Sequence, residues 1–292
     1  MRPIDGLIHP PLPSMRRSAR TAAALALLAG AAASTPLSAQ LRPLEPMDWG
    51  ALAPGAGVRA QVGGDVLFGQ RASIAGVRGR VLEAPAAILS WTTGRVALRA
   101  IVHPLRVLDQ QQSFEASLPG TTDMTAGRET DAGDNGLETV VRLTPAGAAG
   151  AGSLAALRYG VRISTHNDKK GMDRHKTDFY ALLGGSTLRG GWTLGAEAGL
   201  GVYGTRQAGY DKALPFLYSA GARRRLGPLE PSLALTGQAM PTQIRGNEDL
   251  AELRAGLRLG RTRWLEASFV RGLTRFSPRA GILLFAGIAI PD

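Results

Sequence analysis

The sequence predicts an all-β fold, a transmembrane antiparallel β-barrel of about twelve strands preceded by a signal peptide. Three observations predict it. Apolar and polar residues alternate with period two along much of the chain, the connections between those stretches are by turns long and short, and the N-terminal region carries an export pattern.

The export pattern comes first in the chain. From Met15 it reads MRRSARTAAALALLAGAAASTPLSAQ, with Arg16, Arg17 and Arg20 as a basic head, Ala22 to Ala33 as an apolar core, and Leu37-Ser38-Ala39 as a small-residue cleavage pattern before Gln40. The apolar core is shorter than the ~20 residues that a spanning helix needs. Residues 1–39 are therefore expected to be a signal peptide, 1–14 of them reflecting an upstream start codon, and residues 40–292 to form one domain, the barrel. Losing 1–39 removes four Arg and one Asp and lowers the formal charge from +11 to +8. Cysteine is absent, so neither a disulfide nor a Cys-ligated metal is available.

The strands follow in order. The first, near 57–68, turns Arg59 and Asp65 to its polar face. Strands near 86–91 and 96–108 come next, the latter turning Arg99 the same way, and 137–144 does so with Glu138 and Arg142. In 153–165, Leu157, Tyr159, Val161 and Ile163 oppose Arg158, Gly160, Arg162 and Ser164. After a strand near 177–186, residues 192–204 set Leu194, Ala196, Ala198, Leu200 and Val202 against Thr193, Gly195, Glu197, Gly199, Gly201 and Tyr203. Strands near 215–225 and 229–240 carry Arg223, Arg225 and Glu230 on the polar face. In 249–259, Ala251, Leu253, Ala255, Leu257 and Leu259 share one face while Glu252, Arg254, Gly256 and Arg258 share the other, sets that a helix would mix. Glu266 marks the polar face of 263–272, and the last strand, 280–290, is apolar on both faces.

Connections are long at 109–136, 166–176 and 205–214, and short at 145–152, 187–191 and Gly260-Arg261-Thr262. Outer-membrane barrels segregate short periplasmic turns from long outer loops in this way and have an even strand count. An even count also brings the first and last strands together antiparallel and puts both termini on the periplasmic side. Loop 109–136 is polar and is read as a mobile segment, with an inward-folded constriction as one reading of it.

Physics favours the barrel over a β-sandwich. The apolar faces are mostly Ala, Leu and Val, suited to lipid chains, whereas a sandwich core asks for large interlocking side chains. In hydrocarbon every backbone N–H and C=O must be paired internally, so strands span only as a closed barrel. An Arg on the lipid face near mid-membrane costs roughly 2–4 kcal/mol, and only Arg271, near a strand end, falls there in this register. Trp91, Trp192, Phe216, Tyr218, Trp264 and Phe276 are the candidates for an aromatic girdle.

One segment carries a family resemblance. LRYGVRISTHNDKKGMDRHKTDFYALLGG runs from Arg158 to Ser164 through Asn167, Gly171 and Asp173 into Thr177-Asp178-Phe179 and the next strand. It resembles the transporter-like outer-membrane β-barrel proteins of Gram-negative-type bacteria. This chain has Ser164 where such proteins commonly carry Pro, and it ends Ile290-Pro291-Asp292 where they usually end in an aromatic residue. The resemblance implies the bacterial outer membrane as the location. Its lipid and lipopolysaccharide, the barrel-assembly machinery and small polar solutes are then the partners.

The polar faces supply the candidate site. The register points Arg59, Arg99, Arg142, Arg158, Arg162, Arg223, Arg225, Arg254 and Arg258 into the lumen, against Asp65, Glu138, Glu197, Glu230, Glu252 and Glu266, an excess of three arginines. A ring of guanidiniums selects anions in an open pore. The same residues pair off across strands in a narrow, filled one. Both readings stand: a porin-like barrel that passes or binds small polar solutes, anions favoured, and a non-conducting structural or docking barrel. A lipid-acting hydrolase of phospholipase type is a remote third, resting on Ser164 two residues before His166.

No cofactor or metal is expected. Residues His166, Asp168, Asp173, His175 and Asp178 have ligand types without a defined ligand spacing, and Lys169, Lys170, Arg174 and Lys176 among them repel a cation. No GxSxG elbow occurs. Basic residues are spread along alternating strands and not clustered with exposed aromatics, which argues against nucleic acid.

Overall fold

The structure, a computed structural model, describes residues 41–48, 57–121, 127–144, 152–165, 167, 170–172, 176–205, 209 and 211–291. The expected signal peptide 1–39 lies outside the described residues, as do His166, Asp168, Asp173 and His175.

Among the described residues, fifteen strand segments make twelve staves. They are β1 (Val58–Ala72), β2 (Val77–Thr93), β3 (Val96–Val102), β4 (Arg106–Ser113), β5 (Arg128–Asp131), β6 (Asp134–Arg142), β7 (Ser153–Ser164), β8 (Asp178–Arg189), β9 (Trp192–Gly204), β10 (Lys212–Ala213), β11 (Phe216–Arg224), β12 (Leu229–Ala239), β13 (Leu250–Gly260), β14 (Arg263–Gly272) and β15 (Ala280–Ile290). β3 and β4 lie end to end against β2, β5 and β6 continue one another opposite them, and β10 and β11 share the flank of β9. The ring closes where β1 pairs with both β2 and β15, from Val58 opposite Ile290 to Phe68 opposite Ala280. Closure leaves no edge to bridge other chains or meet lipid unpaired.

The outside is apolar and the inside charged. Leu183, Leu200, Leu265, Phe179 and Leu284 are each about 60% exposed, whereas Arg158, Asp178 and Glu252 are wholly buried. That inversion suits a bilayer around the wall. Short turns join one end of the ring, such as Gly190-Gly191, whose positive φ values of 58° and 79° fit the tight primed hairpin turn between Arg189 and Trp192.

Three expectations change. Strand two begins at Val77 and not near 86, and 109–136 is no free loop: β4 and β5 carry the sheet onward from β2 as a hairpin. Its far end turns back over the barrel mouth, with Phe114 N–H bonded to Gly76 O at 2.9 Å and Leu118 N–H to Ile74 O at 2.8 Å. The physical reason is a line of bulges. Inward parity flips from Glu83 to Ala86 at Pro85, and from Ile101 to Arg106 across His103-Pro104-Leu105, so a strict two-residue count loses the strands there.

Trp264 does not join a girdle. It is 4% exposed and lies over Gly287, where a Cβ would sit 2.3 Å from the indole, so only glycine admits the ring. Trp192 and Phe216 do face outward at opposite ends of the wall. On β15, small inward Gly281 and Gly287 reconcile an apolar strand with a crowded interior.

A strap through a charged lumen

The inner faces hold a layered ion-pair network. In the middle layer, the Arg158 guanidinium donates to Glu138 and to Glu197, each at 2.8 Å. Arg99 reaches Glu138 at 3.1 Å, the Tyr180 hydroxyl donates to Glu138 at 2.8 Å, and the Ser219 hydroxyl donates to Glu197 at 2.8 Å. Six staves, from β3 round to β11, are thereby tied through side chains. Such groups are costly to bury alone and stable only as a satisfied set.

Towards the short-turn end, Arg258 donates to Glu266 at 2.9 Å and Arg225 to Glu230 at 2.7 Å. Arg59 and Arg258 lie over the Trp264 ring, 5.7 and 5.1 Å from its centroid, within cation–π range. Arg142 bonds the Gly94 carbonyl at 3.3 Å at the same end. Towards the long-loop end, Arg162 pairs with Asp178 at 3.0 Å, and Arg106 joins Glu83 and Asp134. Asp178, grouped by sequence with the metal-ligand types of the preceding loop, is instead an interior partner of an arginine. Ser164 is wholly buried at the end of β7.

Arg99, Arg142, Arg158, Arg162, Arg223, Arg254, Arg258, Glu138, Glu197 and Glu252 thus all sit on the inner wall in ion pairs or hydrogen bonds. Sequence reasoning missed Arg106, Glu83, Asp134 and Tyr180. With those and Asp178 added, ten arginines stand against nine carboxylates among the named groups, and the excess of three shrinks to one.

A larger omission is the chain before the barrel. Residues 41–48, LRPLEPMD, run inside the ring as an extended strap. Arg42 lies between two wall carboxylates, 2.7 Å from Asp65 and 2.9 Å from Glu252. Glu45 pairs with Arg254, and Asp48 accepts from Arg59 at 2.6 Å and Arg223 at 3.0 Å. The Met47 N–H donates to Glu197 at 3.3 Å, and the Thr236 hydroxyl donates to Leu44 O at 2.8 Å.

The strap's sequence explains its shape. It repeats apolar, charged, Pro: Leu41-Arg42-Pro43, Leu44-Glu45-Pro46, Met47-Asp48. Proline fixes φ and holds the residue before it extended, and an extended polyproline-type chain turns once in three residues, so each residue class lines one edge. The apolar edge packs at three levels. Leu41 joins Leu67, Val81 and Met172, Leu44 sits against Tyr180, Tyr203 and Leu217, and Met47 touches Ala97, Val140 and Ala156. The charged edge faces β1, β11 and β13. At a rise of ~3.1 Å per residue the strap covers about 22 Å of the barrel axis. Beside it, a cavity of about 70 Å³ remains among Pro43, Glu45, His103, Asn135 and Arg162.

No protein-family model matches the sequence, and no curated protein matches it. Solved β-barrels are similar in architecture. The translocator domain of autotransporter NalP from Neisseria meningitidis is 13% identical with a TM-score of 0.45, covering 95% of this chain and 96% of its own. The CymD monoaromatic hydrocarbon channel is 11% identical at 0.43, covering 81% and 88%. A loop-deletion mutant of OmpT, an outer membrane protein of Vibrio cholerae, is 11% identical at 0.40, covering 80% and 98%. At these values the likeness is one of barrel architecture alone.

Proposed function

We propose that the chain is an exported outer-membrane barrel that its own N-terminal strap holds closed, and that it passes or binds small polar solutes only when the strap leaves. The observation that carries this is Arg42 between Asp65 and Glu252, with the strap seated at three levels along the axis. Behind the strap the inner face of β9, β11 and β12 presents Gly195, Gly221 and Ala234, so removing the strap leaves room along that wall. The near balance of wall charge supports polar solutes in general over a strong anion preference. On this reading the signal is cleaved after Ala39, the barrel-assembly machinery inserts the chain, and lipid and lipopolysaccharide surround it.

A second reading, a barrel that never conducts and serves as scaffold or docking partner, draws on the extent of pairing, with Arg158 and Glu252 wholly buried. Liposome swelling separates the two. Vesicles carrying the chain from Gln40 onward should resist swelling in small sugars and organic acids, and vesicles carrying the same chain without residues 41–48 should swell. Folded, strap-free barrels that still exclude every solute would establish the scaffold reading instead.

A further inference from the structure

The strap has a direction. Asp48, its last described residue, is held at the short-turn end by Arg59, one residue into β1, and by Arg223, one residue from the end of β11. Leu41, its first described residue, is buried at the opposite end among Ala72, the last residue of β1, Ala75 of the following turn, Val77 and Met172. Strand β1 thus starts at the short-turn end, but the chain that leads to it has already travelled the length of the lumen. The first and last strands thus begin and end at the short-turn end, with Val58 opposite Ile290, while Leu41 lies at the long-loop end.

The long-loop mouth closes tightly about the point where the strap reaches it. The Ala75 N–H donates to Gly171 O at 3.1 Å, the Gly246 N–H to the Ser73 hydroxyl at 2.9 Å, and Arg245 to Ala116 O at 2.7 Å, lacing four loops together. Beside Leu41 they leave a cavity of about 10 Å³ bordered by Arg71, Ser73, Met172, Gly246 and Phe276. That is near one water's worth of space, so the loops pack directly about Leu41 and leave no room there for anything folded.

From this geometry we infer that the polypeptide preceding Leu41 leaves through the long-loop mouth, so that the exported protein displays its N-terminus on the outer face. The wall acts as a guide for a single extended thread. A flexible segment of any composition placed ahead of Leu41 is carried to the exterior, while a folded domain placed there is incompatible with a seated strap. The inference rests on the path of the strap and on the proposed orientation, not on whether the barrel ever conducts.

The absence of cysteine makes the test direct. A short flexible tag with one Cys is inserted between Ala39 and Gln40, and cells are treated with a membrane-impermeant maleimide. Arg275→Cys, exposed in a long loop, and Arg95→Cys, exposed in a short turn, serve as position markers. The tag should label on intact cells together with Arg275→Cys, and Arg95→Cys only after the outer membrane is permeabilised. A tag that labels with Arg95→Cys overturns the inference, as does one that labels only once the protein is unfolded. If the two markers exchange behaviour, the orientation is wrong, and the inference is judged by which marker the tag follows. A folded domain fused at the same site should unseat the strap and make the barrel as leaky as the strap-free form. Where the strap-free form leaks, a fusion that folds and stays sealed contradicts the threaded path.

Discussion

Arg42 donates to Asp65 at 2.7 Å, and this contact binds the strap to the first strand by a side chain because both edges of that strand are already committed to β2 and β15. The strap is therefore a ligand of the barrel and not a thirteenth stave. Its retention depends on charge and packing, which single substitutions reach without breaking the wall.

Arg42→Ala should loosen the strap. Asp65 loses the guanidinium bonded to it and stays 4% exposed, and breaking a buried pair from one side costs about 3–5 kcal/mol. Arg80→Ala removes a pair with Asp109 in which the Arg side chain is half exposed, worth about 0–1 kcal/mol. The urea midpoint of the heat-modifiable gel band should fall for the first variant and stay in place for the second.

Arg158→Ala should destabilise the wall more than the loss of any one strap contact, since it takes a guanidinium from two buried carboxylates at once, leaving Glu138 with Arg99 and Glu197 with uncharged donors. Arg158→Met with Glu197→Gln should recover part of the loss, because neutral groups need no counter-charge. Thermal unfolding in detergent of the single and double variants measures the recovery.

Gly287→Val should displace Trp264, since even a Cβ there comes within 2.3 Å of the indole. Overpacking of this kind costs typically 1–3 kcal/mol. The check is Trp264 emission in a background with Trp49, Trp91 and Trp192 changed to Phe. A shift to longer wavelength is expected as the ring leaves its site.

Leu183→Arg, on the lipid face near the middle of β8, should reduce folding into bilayers by about 2–4 kcal/mol. Leu229→Arg, at the short-turn end of β12, should cost about 0–1 kcal/mol. Comparing the folded fractions in vesicles tests where the membrane boundary lies.

Much of the wall was legible in the sequence because alternation is a local property. From Ser153 to Ile290 the predicted and observed strands agree to within a few residues, and the inward set from Arg158 to Glu266 follows from parity alone. Parity also places Trp264 beside Glu266 on the inner face, where the structure has it, and not in a girdle. What failed lies between Val77 and Asp134, where bulges reset the count and hid Glu83 and Arg106. The strap escaped notice for a different reason. Its period is three, and a search for periods of two and 3.6 passes over it, although two prolines three apart beside alternating charge mark an extended segment. Its contacts with Asp65 and Glu252 span 23 and 210 residues, distances that no local pattern encodes.

The central claim is that residues 41–48 close the lumen, and single-channel recording in a planar bilayer tests it most directly. The chain from Gln40 onward should be silent, and the same chain lacking 41–48 should show discrete openings that a synthetic LRPLEPMD peptide blocks. Equal conductance with and without the strap would contradict the account.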